Sequence, residues 1–92
     1  MIAFVKSFSR LVAKQNIRAN CISPGNVFIE DGLWDRKMKE NPNKAKSYLE
    51  KNVPLNCFVD VKDIVQAILF LENSQTVTGA NFVIDAGQTI GY

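Results

Sequence analysis

The sequence contains no histidine, which excludes every histidine-dependent catalytic triad, imidazole metal site and imidazole general base within these residues. Its two cysteines, Cys21 and Cys57, allow at most one disulfide, and without an evident export signal we expect both to remain thiols. Hydrophobic residues make up 47% and charged residues 22% of the 92 residues. This composition excludes the disordered and low-complexity classes and suits one domain with one hydrophobic core.

Long apolar runs and acidic residues near the start are also missing. No apolar run approaches the roughly 18 residues needed to cross a bilayer, and residues 1–5 lack the features of a signal peptide, so we expect a cytoplasmic protein. Residues 1–29 contain no acid, and Lys6, Arg10 and Lys14 stand four apart, which predicts a basic stripe on a helix. Three charges are few beside the roughly six to ten phosphate contacts of a DNA-binding protein. We therefore predict a solvated face and neither nucleic acid nor membrane as a partner.

Hydrophobic periodicity predicts a helix over residues 2–14, with Ile2, Val5, Phe8 and Val12 on its apolar face. No capping residue precedes this helix, so we expect the sequence to be part of a longer chain. Residues 17–23 read as a strand that Pro24 and Gly25 close.

The middle of the chain, residues 26–51, is polar and reads as loop and short helices. Asp31 is a candidate N-cap for a helix over residues 32–39, and Asn41 followed by Pro42 favours a second helix through Lys51. Sparse apolar anchors are typical of a flap that lies over a cleft rather than of a core element.

The last part of the chain predicts a helix and a strand. Asp60 is the expected N-cap of a helix from Val61 to about Glu72, and its largely apolar circumference predicts deep burial. Residues 81–85 form the expected second strand. A strand, a crossover containing helix and another apolar strand specify a parallel βαβ unit, and such a unit presupposes further strands beside it.

Four collinear motifs resemble those of the short-chain dehydrogenase/reductase family. They are the strand block Asn16-Ile17-Arg18-Ala19-Asn20-Cys21-Ile22-Ser23-Pro24-Gly25, the turn Val53-Pro54-Leu55, the helix Asp63-Ile64-Val65-Gln66-Ala67-Ile68-Leu69-Phe70-Leu71, and the C-terminal Thr78-Gly79 and Asp85-Ala86-Gly87. Together they cover nearly the whole chain in the family's order and spacing.

The resemblance implies an α/β fold, in which residues 1–92 are the C-terminal part of one doubly wound Rossmann domain whose N-terminal cofactor-binding part is absent. It places Met1 just after the family's Tyr-x-x-x-Lys segment, so the catalytic Ser, Tyr and Lys and the Gly-rich phosphate turn are not expected here. Neither Tyr48 nor Tyr92 is followed by a lysine four residues on. We therefore predict no catalytic residue and no metal site in this chain. NAD or NADP would serve the complete protein, with no tight binding by this chain alone.

The resemblance assigns the cofactor-binding site to Pro24, Gly25, Asn26 and Val27. This turn lies where ligands bind in an open α/β sheet, outside the carboxyl end of a strand, and Val27 would contact the nicotinamide carboxamide. The apolar residues after it form the candidate substrate pocket for a small carbonyl or alcohol, although packing of the flap onto the body is an equal alternative for them: Phe28, Ile29, Leu33 and Trp34.

Several positions depart from the family pattern. Ile29 stands where the family usually has a threonine near the cofactor pyrophosphate, which puts that phosphate contact in doubt. Cys57, Val59 and Val61 replace the common Arg, Gly and Pro, and we expect Val59 to strain a turn of positive φ. Ala86 replaces the first glycine of the family's Asp-Gly-Gly.

Two classes of function follow. The first is the C-terminal segment of an NAD(P)-dependent oxidoreductase that transfers hydride between nicotinamide and a carbonyl or alcohol. The alternative is a non-enzymatic oligomerisation module derived from such an enzyme. In both cases we expect a homo-oligomer, because the apolar face of the first helix and the outer edge of the first strand require a partner.

Overall fold

A computed structural model describes residues 2–90, with Met1, Gly91, Tyr92 and the side chain of Ile2 outside the described part. Within these residues four helices and four short strands follow one another: α1 (Ile2–Ala13), β1 (Cys21–Pro24), β2 (Val27–Phe28), α2 (Leu33–Glu40), α3 (Pro42–Asn52), β3 (Val59–Asp60), α4 (Val61–Asn73) and β4 (Asn81–Ile84).

The strands β1 and β4 form a parallel pair, with Cys21 opposite Asn81 and Pro24 opposite Ile84. The helix α4 lies between them in sequence and contacts both. The predicted parallel βαβ unit is therefore confirmed. A second parallel ladder, which was not expected, joins β2 to β3 and pairs Val27 with Val59.

The first strand is shorter than predicted, because residues 17–20 bond irregularly rather than in a ladder. The Ala19 N–H donates to Thr78 Oγ1 at 3.1 Å, and the Asn20 side chain bonds both Val77 O and Ala80 N. The strand also includes Pro24, which we expected to lie outside it. The missing N–H of Pro24 is tolerated because alternate residues donate to β4: Cys21 N–H bonds Ala80 O and Gly25 N–H bonds Ile84 O, each at 2.9 Å. The N of Pro24 therefore faces away from this ladder.

The ends of α4 are closed by side chains. Asp60 Oδ1 accepts from Lys62 N–H at 2.9 Å, as predicted for the N-cap. At the other end, the Arg18 guanidinium donates to the carbonyls of Leu71, Glu72 and Ser74. Since the last turn of α4 has no basic residue of its own, Arg18 supplies the positive charge that favours a helix C-terminus.

The prediction that α4 is deeply buried is wrong for this chain. Only Ala67 and Leu71 are buried, whereas Ile68, Leu69 and Phe70 are about half exposed, at 49%, 51% and 53%. The reason is that α4 crosses a sheet of only two strands, which covers a single stripe of the helix. Among the helices of residues 2–90, none has the length and apolarity to cross a membrane.

The flap helices α2 and α3 differ in how they begin. Asn41 Oδ1 accepts from Lys44 N–H at 3.2 Å with Pro42 at the first helical position, which confirms the predicted start of α3. The Asp31 cap is wrong: Gly32 occupies the N-cap of α2 without a side-chain bond. Asp31 instead has a φ of 62°, and its N–H donates to Asp35 Oδ2 at 2.8 Å.

The expected strain at Val59 is also wrong, since Val59 lies in the extended strand β3 and is buried. The positive φ of this loop falls on Asn56, at 53°, and asparagine tolerates that region better than a β-branched residue.

Lys6, Arg10 and Lys14 are exposed, which confirms the solvated basic stripe. The buried apolar core of the described residues is small: Ala45, Leu49, Val53, Val59, Ala67 and Leu71.

Candidate functional site

The predicted cofactor turn, Pro24 to Val27, follows the carboxyl end of β1 and lies against the end of β4. A Cβ placed on Gly25 would stand 2.7 Å from Asp85 Cβ and 2.8 Å from Asp85 Cα. Because the second of these atoms belongs to the backbone, only glycine lets the two chain segments approach this closely. The turn is thereby held at the strand edge where open α/β sheets bind ligands.

The peptide groups of Val27 face away from the neighbouring strand. Val59 N–H donates to Asn26 O at 2.8 Å, and Val27 stands opposite Val59 in the parallel register. In a parallel ladder the residues that flank such a position make the bonds to the partner strand. The N–H and C=O of Val27 therefore point to the opposite side, where they can pair with a ligand.

A cluster of three polar side chains joins this turn to α3 and to the segment after β4. Asn26 Nδ2 donates to Tyr48 Oη at 3.3 Å and to Gln88 Oε1 at 3.1 Å, and Gln88 Nε2 donates to Tyr48 Oη at 3.1 Å. We call Asn26, Tyr48 and Gln88 the amide–phenol cluster. No spacing pattern pairs these residues, which are 22 to 62 positions apart.

Asp85 orders the loop beneath the turn. Its buried carboxylate accepts from Gly87 N–H and Thr89 N–H, each at 3.0 Å. A hydrogen bond from the Thr89 side chain and these backbone donors hold the pKa of Asp85 below its ordinary value of 3.8, although burial acts in the opposite direction. The carboxylate is therefore ionised at neutral pH and serves as a structural acceptor.

The predicted substrate-pocket residues separate into two groups. Phe28 and Trp34 are linked through Phe58, with ring centroids 5.5 Å and 5.3 Å apart, and Trp34 also packs on Tyr48 at 5.0 Å. Ile29 and Leu33 are each 56% exposed and do not join these rings. Phe58 was missed, because a single phenylalanine in a loop carries no periodic pattern that would mark it.

A cleft of about 300 Å³ lies between α2 and α3, and of the four predicted pocket residues only Trp34 lines it. Lys37 Nζ stands 4.6 Å from the centre of the Trp34 ring, so the cleft combines an aromatic wall with positive charge at its rim. The lining residues are Trp34, Lys37, Glu40, Asn41, Lys44, Ala45 and Tyr48. Among residues 2–90 no cluster of three or more His, Cys, Asp or Glu side chains is arranged to hold a metal ion.

Comparison with known proteins agrees with the motifs. The family described as enoyl-(acyl carrier protein) reductase matches residues 1–89. Carbonyl reductase family member 4 of Xenopus tropicalis is 36% identical over 87 residues, which are 95% of this chain and 33% of that protein. The 3-oxoacyl-[acyl-carrier-protein] reductase FabG of Chlamydia pneumoniae is 37% identical over 91 residues, covering 97% of this chain and 34% of the relative. The chain thus belongs to the short-chain dehydrogenase/reductase family and spans about a third of these relatives' length.

Solved structures of this family share the fold. A 4-hydroxyisoleucine dehydrogenase complexed with NADH matches with a TM-score of 0.82 at 34% identity, covering 99% of this chain and 37% of the other. L-sorbose reductase from Gluconobacter frateurii, complexed with NADPH and L-sorbose, matches with a TM-score of 0.75 at 27% identity over 99% of this chain and 38% of that chain. The described residues therefore form part of a Rossmann-type α/β fold, as predicted.

Proposed function

We propose that this chain supplies the nicotinamide-contacting turn and the substrate flap of an NAD(P)-dependent short-chain dehydrogenase/reductase. The reaction of the whole enzyme is hydride transfer between the nicotinamide and a carbonyl or alcohol. The observation that carries the proposal is the outward-facing peptide of Val27 at the carboxyl end of β1. Structural neighbours of this chain that are complexed with NADH or NADPH support it.

The residues present fit the carboxamide end of the cofactor. A primary carboxamide has one acceptor oxygen and an NH₂ donor, and Val27 offers one N–H and one C=O in return. When bound, the nicotinamide ring supplies or accepts the hydride. The chain's own contribution is to orient that ring through Val27, while the contacting rings of Phe28, Phe58 and Trp34 place an apolar surface beside the turn.

The proposal assigns no proton-transfer residue to this chain. It also predicts weak cofactor binding by the chain alone, because one pair of backbone bonds cannot offset the entropy lost in holding a dinucleotide. Activity is expected only in a polypeptide that contributes the remaining parts of the family's site. This division of the site agrees with the share of each relative, about a third, that the chain spans.

A chimera tests the proposal directly. We would replace the matching segment of the NADH-binding 4-hydroxyisoleucine dehydrogenase with this chain and measure NADH binding by calorimetry and turnover by absorbance. The chimera should bind NADH, and Val27→Pro should weaken binding about tenfold, since it removes one donor outside the ladder. Asn73→Ala, at the far end of α4, is the control and should bind as the parent does. A folded chimera that binds no NADH would refute the proposal.

The departure at Ile29 provides a second measurement in the same chimera. Ile29→Thr introduces the hydroxyl that the family usually carries near the pyrophosphate, and it should tighten NADH binding about tenfold, as expected for a hydrogen bond to a charged group. Ile29→Val is the matched control, because it changes the side-chain volume similarly without adding a donor. Equal affinities for the two variants would show that residue 29 does not reach the phosphate.

Self-association is part of the proposal. In the described chain, α1 exposes Phe4 and Leu11 at 70% and 71%, and α4 exposes a second apolar surface along Ile68, Leu69 and Phe70. Exposed apolar faces of this kind drive association. The alternative function, a non-enzymatic assembly module, makes the opposite prediction for the chimera: it would assemble but neither bind NADH nor turn over substrate.

A further inference from the structure

We propose that Tyr48 is a positioning residue that holds the flap helices on the nicotinamide-contacting turn, with Asn26 and Gln88 orienting its hydroxyl. The inference rests on the proposed function only for the role of the turn. The tie itself is a property of the amide–phenol cluster, which joins three segments: the turn after β1, the helix α3 and the loop after β4.

The cluster is closed, since each of its members bonds the other two. Tyr48 Oη accepts from both amides, at 3.3 Å from Asn26 Nδ2 and 3.1 Å from Gln88 Nε2, and the two amides bond each other at 3.1 Å. All three side chains are half-buried, which makes an unpaired amide costly. Tyr48 is therefore held at a defined point relative to Val27, the neighbour of Asn26.

The ring and the hydroxyl of Tyr48 have separate tasks. The ring packs on Trp34 with centroids 5.0 Å apart, and so joins α3 to α2 within the flap. The hydroxyl joins the flap to the turn and to Gln88. Ala45 and Leu49 of α3 are also buried, and Trp34 packs on Phe58. The hydroxyl adds a directional hydrogen-bonded restraint to these apolar contacts.

The consequence for function is a mechanical link between the turn and the flap. A ligand that orders Val27 also orders Asn26, and Asn26 acts on Tyr48 and through it on Trp34 at the cleft. Such a coupling is reciprocal: a substrate that orders the flap would in turn strengthen binding at the turn. If the flap helices were not bonded to the turn, ligand binding at Val27 would leave the order of Trp34 unchanged.

The test uses the full chain without cofactor and takes Trp34 as the reporter, because it is the only tryptophan of the sequence. Tyr48→Phe keeps the ring and deletes the hydroxyl, and Gln88→Met deletes both the donor and the acceptor of the amide while keeping the length of the side chain. Asn73→Ala is the matched control, since that amide bonds only Leu69 O at 2.8 Å in the part of the chain that the structure describes. Amide hydrogen exchange of α3 and acrylamide quenching of Trp34 are measured for each variant and for the double variant.

We expect Tyr48→Phe and Gln88→Met each to speed exchange of the α3 amides by about fivefold for each of the two hydrogen bonds that the change removes, and to increase quenching of Trp34. The effects should be less than additive in the double variant, because the Tyr48–Gln88 hydrogen bond is already lost in each single variant. Asn73→Ala should lower overall stability slightly and leave Trp34 quenching unchanged. Independent, additive effects of the two changes, or unchanged quenching in Tyr48→Phe, would overturn the proposal.

The outcome is separable from that of the proposed function. If the chimera fails to bind NADH while the two variants remain coupled, the role of the turn is refuted and the tie stands. If the chimera binds NADH and the variants are additive, the tie is refuted and the proposed function stands.

Discussion

Gly25 and Asp85 lie in direct backbone contact, so that a Cβ on Gly25 would stand 2.8 Å from Asp85 Cα. No side-chain rotation relieves a clash with a Cα, and β1 and β4 would have to separate. We therefore expect Gly25→Ala to lower the free energy of unfolding by about 2 kcal/mol, the usual cost of overpacking. Urea denaturation measures the change.

The same variant also tests how the turn is held. Because Gly25 N–H bonds Ile84 O at 2.9 Å, separation of the strands should speed hydrogen exchange at the Gly25 amide in the alanine variant. A stability within about 0.5 kcal/mol of the parent, the range of a neutral surface change, would show that the two strands are not packed as closely as the structure has them.

Ala86 adopts a left-handed conformation, with a φ of 56°, where the family has glycine. For an L-residue this conformation costs about 1 kcal/mol or more. Alanine offsets only part of that cost, because it restricts the unfolded chain more than glycine does. We expect Ala86→Gly to raise the free energy of unfolding by about 0.5 kcal/mol. The matched control is Ala3→Gly in the exposed first turn of α1, which should lower the free energy of unfolding slightly, because glycine is a poorer helix former than alanine. If both variants changed the free energy of unfolding in the same direction, the positive φ of Ala86 would be contradicted.

The sequence allowed the βαβ unit to be predicted because its determinants are local. Asn41 and Asp60 are caps that act within three residues, and the apolar runs of α4 and β4 specify their element types without reference to distant parts of the chain. The replacement of a family glycine by Ala86 was visible in the sequence, but the strain was predicted at Val59, whereas the positive φ falls on Asn56 and Ala86.

What could not be predicted depends on contacts between distant residues. The strand start at Cys21 results from bonds between Asn20 and the loop before β4, and the small ladder of β2 and β3 pairs residues 32 positions apart. The amide–phenol cluster combines a turn, a helix and a loop that no spacing rule relates. The burial of α4 was predicted wrongly for the same reason. Its apolar residues show which side of the helix favours burial, but they do not show whether this chain contains the residues that would pack on that side.

Acid should destabilise the chain through Asp85. Its folded pKa lies below the ordinary value of 3.8, with the Thr89 side chain as the largest cause. The unfolded state therefore binds more protons in that range, and stability rises with pH there. The stabilising contribution is complete above 3.8 and is lost as the pH falls through the lower folded value. Asp35, whose pKa is lowered chiefly by the Asp31 N–H, acts in the same direction.

Urea unfolding at a series of acidic pH values measures this contribution. Asp85→Asn should unfold more easily at neutral pH, because an amide has one acceptor oxygen for the two backbone N–H groups that the carboxylate satisfies. It should also lose stability less steeply as the pH is lowered through 3.8. For Thr89→Val, the free energy of unfolding should fall with pH at a rate between those of the parent and Asp85→Asn. If it falls equally steeply in the parent and in Asp85→Asn, a group other than Asp85 causes the acid sensitivity.

Self-association should depend on the apolar surface of α1. Phe4 is 70% exposed and stacks on Phe8 with ring centroids 5.9 Å apart, and Leu11 continues the same surface. Burying these side chains in a symmetric dimer would recover roughly 1.5 to 3 kcal/mol for each fully covered residue.

Because Phe4 contributes little to the core of a single chain, Phe4→Glu should produce a folded monomer, whereas Phe8→Glu should also weaken folding. The charge control is Lys6→Glu on the opposite, basic face, which should leave the oligomer intact. Sedimentation equilibrium measures the mass of each variant, and a parent chain that sediments as a monomer at every concentration would disprove the assignment of α1 as the interface.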